Sequence, residues 1–289
     1  MLKVKRQRLR GYMLLMRLDK PVGIMLLLWP TLWALWIAGE GSPDWWVVTV
    51  FVAGVFLMRS AGCVINDYAD REFDPFVERT RNRPLAVGMV TPKDALQLFA
   101  VLSVTAFALV LTLNSLTIMM SVVGAALAAS YPYMKRLTYL PQVYLGLAFG
   151  WSVPMAFAAQ TDAVPIVAWL LLIVTVLWAT AYDTMYAMVD RPDDLKIGVK
   201  STAILFGESD RVIIGVIQLI MLVVLLMIGQ HLQLSAVYFF AVLIAALLML
   251  YQLRLIRKRD GMQCMRAFRN NNWIGAVIFA GLYGHYFLS

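Results

Sequence analysis

The chain has 289 residues, of which 61% are hydrophobic and only 15% charged, and its mean hydropathy is +0.74. That is more apolar surface than one soluble core of this length can bury, so the solvent must be lipid. The net charge of +8 then reflects membrane topology and anionic lipid headgroups, and no nucleic-acid partner is expected.

The basic start, Lys3 to Arg10, leads into an apolar run like that of a secretory signal. The run is long, rich in Trp and without a small-residue cleavage pattern, so it is expected to be retained as a first span, Pro21 to Ala38. Further charge-poor stretches of spanning length follow at Trp45 to Asn66, Ala95 to Leu113, Ser115 to Met134, Pro141 to Ala159, Ala163 to Tyr182, Val212 to Gln230, Leu232 to Gln252 and Asn272 to Ser289. The polar pair Asn114-Ser115 divides the third from the fourth and predicts a tight hairpin. The expected fold is all-α: a single domain over residues 1–289, built as a polytopic transmembrane bundle of nine helices.

Lys and Arg favour the cytoplasmic side of span ends. With the N-terminus inside, all 25 of them fall on that side, and the remaining loops hold only Glu40, Asp44, Asp162 and His231 as ionisable groups. The C-terminus is therefore expected in the periplasm, and loops near residues 67–94, 135–140, 183–211 and 253–271 in the cytoplasm. Cys63 and Cys264 both belong to this reducing side, which argues against a disulfide.

A carboxylate at membrane depth costs about 2.5–3.5 kcal/mol on insertion scales, so the placement of acids is informative. Most form two clusters, one with Asp67, Asp70 and Asp74 and the other with Asp183, Asp190, Asp193 and Asp194. Helical steps of three, four and seven would put Asp67, Asp70 and Asp74 on one stripe, continued backwards by Asn66, Cys63 and Arg59. The second cluster repeats the seven-residue step from Asp183 to Asp190, with Tyr186 between. Asp67 to Asp183 and Asp74 to Asp190 are both intervals of 116 residues, four spans apart, so both clusters emerge on one side. Pro192 is expected to break the second helix.

One acid at a helix end ordinarily balances nearby Arg and Lys. Two matched clusters of like charge repel unless a cation sits among them, and Mg²⁺, held by carboxylates together with substrate phosphates, answers that need. The expected metal ligands are Asp67, Asp70, Asp74, Asp183, Asp190 and Asp194. A diphosphate would also need cations, and Arg59, Arg71, Arg79, Arg83, Arg136 and Lys200 lie on the same face. A cation-coupled transporter fits less well, because its acids would sit near the midplane and the outer halves of these spans are nearly bare of polar groups.

The pattern Asn-Asp-x-x-Asp-x-x-x-Asp at Asn66, Asp67, Asp70 and Asp74, and Tyr-Asp-x-x-Tyr-x-x-x-Asp at Tyr182, Asp183, Tyr186 and Asp190, resembles the two signatures of the UbiA family of intramembrane prenyltransferases. Asp194 fills the position of a further acid that the family usually carries. Asp19-Lys20-Pro21-x-Gly23, Arg79-Thr80-x-Asn82-Arg83-Pro84-Leu85, Tyr131-Pro132-x-Met134-Lys135-Arg136 and Lys200-Ser201-Thr202 resemble the branch that serves bacterial ubiquinone biosynthesis.

The resemblance implies an enzyme of the bacterial inner membrane whose active site faces the cytoplasm. Mg²⁺ would assist departure of diphosphate from a polyprenyl diphosphate, and the ring of 4-hydroxybenzoate would capture the allylic cation beside its hydroxyl. Asp70, Asp74, Asp190 and Asp194 are the expected catalytic acids. Arg59, Asn66, Arg71, Arg79, Arg83, Tyr131, Arg136 and Lys200 are the expected substrate-binding residues. Arg59 and Lys200 are assigned to the diphosphate and Arg136 to the acceptor's carboxylate. Gly146, Gly150 and Pro154, with Gly54 and Gly62, would allow close helix approach or kinks beside a groove for the lipid tail.

Overall fold

The structure is a computed structural model and describes residues 2–78 and 80–288, with side chains from residue 8 onward. Among the described residues every regular element is helical. In chain order these are α1 (Leu2–Leu15), α2 (Val22–Ala38), α3 (Trp45–Asp70), α4 (Pro92–Val110), α5 (Ser115–Ser130), α6 (Met134–Leu137), α7 (Pro141–Gly150), α8 (Ser152–Thr161), α9 (Ile166–Ile197), α10 (Thr202–Phe206), α11 (Asp210–His231), α12 (Ala236–Leu255) and α13 (Gly261–Leu288). Seven helical stretches are long and apolar enough to cross a membrane, and α2 is a shorter apolar helix.

The helix starts follow local chemistry. The Asp44 carboxylate accepts from the backbone N–H groups of Trp46 and Val47 ahead of α3. Thr91 and Asp94 form a reciprocal capping box with Pro92 in the first turn of α4. Asn114 caps α5 through the N–H of Thr117, which makes the expected hairpin between α4 and α5.

The main core lies among α2, α3, α8, α9, α11, α12 and α13. At its centre the indoles of Trp33 and Trp178 stack at 5.2 Å, and Trp178 meets Tyr182 edge-on at 5.6 Å. Gly275 lets α13 reach this stack, since a Cβ there would stand 2.2 Å from Trp29 Cδ1 and 2.8 Å from Trp178 Cη2. Polar side chains in the core are paired across helices: Trp178 Nε1 donates to Asn271, Gln218 to Gln252 and Gln252 to Asn270.

Several helices depart from the expected boundaries. The span expected from Pro141 is one apolar stretch, Pro141–Thr161, but its helix is interrupted at Trp151 between α7 and α8, because Pro154 has no N–H to give and its ring crowds the carbonyl of Gly150. The opposite holds at Pro192, where the expected break is absent and α9 continues to Ile197. There the side chain of Arg191, one residue before the proline, is anchored on Asp210 of α11. The last helix starts at Gly261, well before Asn272.

Close approach by small residues occurs at Gly146, where a Cβ would stand 2.9 Å from the Val176 backbone, and at Gly150 against Leu172 and Thr175. Gly54 and Gly62, expected in the same role, face open space instead.

Candidate active site

Asp67 and Asp70 lie on the last turn of α3, which ends at Asp70. The expected helical stripe does not reach Asp74. Pro75 has no N–H to give the Arg71 carbonyl and its ring crowds that carbonyl, so α3 stops at Asp70 and Asp74 opens a short 3-10 turn, Asp74–Phe76. Arg83 returns it to the cluster: Arg83 Nη1 lies 2.9 Å from both Asp74 oxygens and 3.0 Å from Asp67 Oδ1. Arg17 Nη2 adds bonds of 2.7 and 2.9 Å to the two oxygens of Asp67. Burial raises the Asp74 carboxyl above its ordinary value of 3.8, and the Arg83 guanidinium works against that rise.

Asp70 receives the Lys135 ammonium and, at 3.2 Å, the Asn66 amide on the same oxygen, Oδ2. Its Oδ1 is buried with no hydrogen-bond partner among the described residues. The repulsion expected within this cluster is thus offset by Arg17, Arg83 and Lys135. No three acidic, His or Cys side chains among the described residues gather closely enough to hold a metal unaided. A free carboxylate oxygen beside cations suits an ion that takes one or two carboxylates and completes its shell with phosphate and water.

The second cluster lies on the uninterrupted α9, where steps of seven and four put Asp183, Asp190 and Asp194 within an arc of roughly 40°. Tyr131 joins the two clusters, for it lies in electrostatic reach of Asp70, Asp183 and Arg59. Arg59, about two to three turns deeper in α3 than Asp67 and Asp70, donates to Cys63 Sγ at 2.6 Å and sits 5.8 Å from the centre of the Phe149 ring. Tyr131, Tyr182 and Tyr186 lie within electrostatic range of it, and no ion pair involves it among the described residues. Gly23 makes room for it: a Cβ there would stand 2.6 Å from Arg59 Nη2.

Arg136 donates to the carbonyl of Ala69 at 2.7 Å and lies over Phe73 and Tyr133. The Lys200 N–H donates to the Lys135 carbonyl at 3.0 Å, and Lys200 Nζ reaches the carbonyl of Leu137, so the residue ties the α9–α10 turn to α6. Arg71 turns back onto its own neighbours Tyr68 and Glu72 and is not brought to the acids. Arg79 lies outside the described residues. Lys135, Arg17 and Gly23 are not singled out as site residues by the sequence. Lys135 carries a signal in its own motif, whereas Arg17 has none.

An acid-rich end of a bundle of membrane-length helices, with Arg17, Arg83 and Lys135 paired to its first carboxylate cluster, is the arrangement expected of an intramembrane prenyltransferase. The profile of the UbiA prenyltransferase family matches residues 27–276, and the chain belongs to that family. Among similar proteins, the 4-hydroxybenzoate octaprenyltransferase of Methylococcus capsulatus is 64% identical over 281 residues, covering 97% of this chain and 96% of the relative. That of Nitrosococcus oceani is 63% identical, covering 97% and 99%. The apo structure of a UbiA homologue from Aeropyrum pernix superposes with a TM-score of 0.80 at 25% identity, over 90% of this chain and 96% of the other. A UbiA homologue from Archaeoglobus fulgidus bound to GPP and Mg²⁺ shares the fold, with a TM-score of 0.70 at 15% identity, over 96% and 98%.

Proposed function

We propose that the chain transfers a polyprenyl group from polyprenyl diphosphate to the ring of 4-hydroxybenzoate beside the hydroxyl, releasing diphosphate, in ubiquinone biosynthesis. The activity named for relatives of 56–64% identity over nearly the whole chain supports this reading. The observation that carries it is Asp70 Oδ1, a buried carboxylate oxygen left open beside Lys135 and within one tyrosine of the second acid cluster.

Asp70, Asp74, Asp190 and Asp194 would hold Mg²⁺, with Asp183 the remaining acid of the α9 face. Bound there, Mg²⁺ supplies neutralisation of the negative charge that grows on the departing diphosphate. Lys135, Arg83 and Lys200 belong to the same end of the bundle and bring fixed positive charge to that oxygen-rich group. Arg136, secured at the carbonyl of Ala69 next to Asp70, serves the diphosphate side.

Arg59 fits the acceptor better than the donor, which reverses the sequence-based assignment. It is a guanidinium with no carboxylate partner among the described residues, with the Phe149 ring against it and Tyr131, Tyr182 and Tyr186 within electrostatic range, and a small aromatic acid would supply both the missing anion and a ring to pack. Tyr186 and Phe268, with ring centres 4.9 Å apart, add to these aromatic side chains, which keep water from an allylic cation. The polyprenyl tail stays in lipid, since each CH₂ held in water costs about 0.8 kcal/mol.

The same reading places the protein in the bacterial inner membrane with nine crossings, the N-terminus and site in the cytoplasm and the C-terminus in the periplasm. The distribution of Lys and Arg supports it. The test incubates membranes containing the protein with 4-hydroxybenzoate, a polyprenyl diphosphate and Mg²⁺, with and without chelator. A ring-prenylated acid that disappears with chelator is expected. Its absence while another aromatic ring is prenylated would overturn the acceptor, and no transfer to any ring would overturn the activity.

A further inference from the structure

We propose that Asp67, although part of the acid signature, is not a metal ligand but forms with Arg17 a positioning pair that sets Arg83, and through Arg83 Asp74. The inference rests on the assignment of Asp70 and Asp74 to the diphosphate site.

The two neighbouring acids differ in what their oxygens are doing. Asp67 is 1% exposed, and its oxygens accept from Arg17 Nη2 at 2.7 and 2.9 Å, with Arg83 Nη1 at 3.0 Å from Oδ1. Asp70, one turn on, keeps Oδ1 free. A metal ion at Asp67 would have to compete with two guanidiniums, those of Arg17 and Arg83, whereas Asp74 shares only Arg83 and Asp70 offers an oxygen that no donor among the described residues holds.

Arg17 is itself held in an unusual way. It adopts a left-handed backbone, φ 58°, in the turn after α1, a conformation that costs a non-glycine residue energy and persists only where its surroundings enforce it. Its Nη1 donates to the carbonyl of Leu14 at 3.1 Å while Nη2 serves Asp67. Directly beside the pair, Leu15 packs with Ala61, Val64, Val90 and Ala95, and Gly11 lies against Met89 and Val90. The pair therefore stands where α1, α3 and the end of the 71–91 loop meet.

The link to the reaction is Arg83. One nitrogen, Nη1, serves Asp67 and Asp74 together, so the position of Asp67 decides where Arg83 holds Asp74. Asp74 lies beyond the end of α3, in a separate 3-10 turn, so α3 does not place it. A pair that only stapled α1 to α3 would affect how much protein folds. A pair that sets Arg83 also affects how well each folded molecule takes the donor.

The test uses the full-length protein in membranes, with Arg17→Gln, Asp67→Asn, their double variant, and Asp70→Asn for comparison. It measures KM for polyprenyl diphosphate, the half-saturating Mg²⁺ concentration, and melting temperature without substrate. Arg17→Gln and Asp67→Asn are each expected to raise KM about tenfold, with the Mg²⁺ requirement within about twofold of the parent. The double variant should be no worse than the worse single, because both lose one interaction.

A Mg²⁺ requirement shifted by Asp67→Asn as it is by Asp70→Asn, but not by Arg17→Gln, would overturn the proposal. So would lowered melting temperatures with unchanged KM in both single variants. Should Asp67→Asn fail to fold, Arg17→Lys, which keeps the charge and loses the two-pronged geometry, carries the same KM test. An unsubstituted protein without Mg²⁺-dependent turnover would instead remove the reading of the site on which the pair depends.

Discussion

Lys135 occupies one oxygen of Asp70 and leaves the other bare: the ammonium and the Asn66 amide both meet Oδ2, while Oδ1 is buried without a donor among the described residues. The sequence interval between them is 65 residues, and they come from α6 and the end of α3. An acid prepared in this way is held firmly in place and still has coordination to offer.

Asp70→Asn, Asp74→Asn, Asp190→Asn and Asp194→Asn should each lower turnover by about 10²-fold or more with the protein still folded, since an amide is a poor Mg²⁺ ligand. Turnover at saturating Mg²⁺, set beside a melting curve, checks this, and near-parental rates in all four would sink the metal assignment.

Acidification should raise the Mg²⁺ requirement at a pH above the ordinary Asp value of 3.8. Burial holds the Asp74 proton more firmly in the fold than in the unfolded chain, so the metal-free fold gains stability as pH falls through that raised value. Mg²⁺ needs the ionised form and is lost over the same interval. Half-saturating Mg²⁺ measured against pH in the parent and in Asp74→Asn tests the sign, and the variant should lose this component.

Gly23→Ala should raise KM for 4-hydroxybenzoate about tenfold and leave the melting temperature nearly unchanged. The added Cβ would meet Arg59 at Nη2, Nε and Cζ, the movable end of a long side chain, so the cost falls on the placement of the guanidinium and not on packing. An acceptor KM equal to the parent's would detach Arg59 from the acceptor.

Asp210→Ala should destabilise the fold by about 3 kcal/mol, the lower end of the cost of orphaning a buried charge, because Arg259 still reaches water. Asp210 is fully buried and joins Arg191 of α9 to Arg259 of the α12–α13 turn. Chemical or thermal unfolding in detergent measures the loss. Because Arg191 adjoins Asp190, turnover per folded molecule should fall as well.

Arg136→Lys separates two readings of one residue. Its guanidinium bonds the Ala69 carbonyl and lies over Phe73 and Tyr133, so lysine should raise KM for the prenyl diphosphate about tenfold and leave that for 4-hydroxybenzoate unchanged. The reverse result would restore the acceptor role that the sequence suggests for Arg136.

Much of this molecule could be read from the chain. The hairpin at Asn114 is legible because an asparagine between two apolar runs has one favourable use, as a helix cap. The Asp183–Asp190 step is legible because a continuous helix converts spacing directly into angle, whereas Asp194 lies past the break expected at Pro192. Asp74 was misplaced by the same rule: periodicity predicts faces only while the helix lasts, and Pro75 ends the geometry that the motif's spacing assumes. Pro192 errs the other way, since a local rule about proline carries no knowledge of Arg191 anchored on Asp210.

The sequence by itself determined the lipid setting, the helical class, the family and the two acid signatures, because these depend on composition, local periodicity and residues adjacent in the chain. Only the tertiary structure decided what each acid faces. Arg17 reaches Asp67 across 50 residues and Lys135 reaches Asp70 across 65, and Arg59 of α3 meets Phe149 of α7 across 90. A carboxylate's role is set by the charge and solvent around its oxygens, and in a bundle those neighbours come from helices distant in the chain.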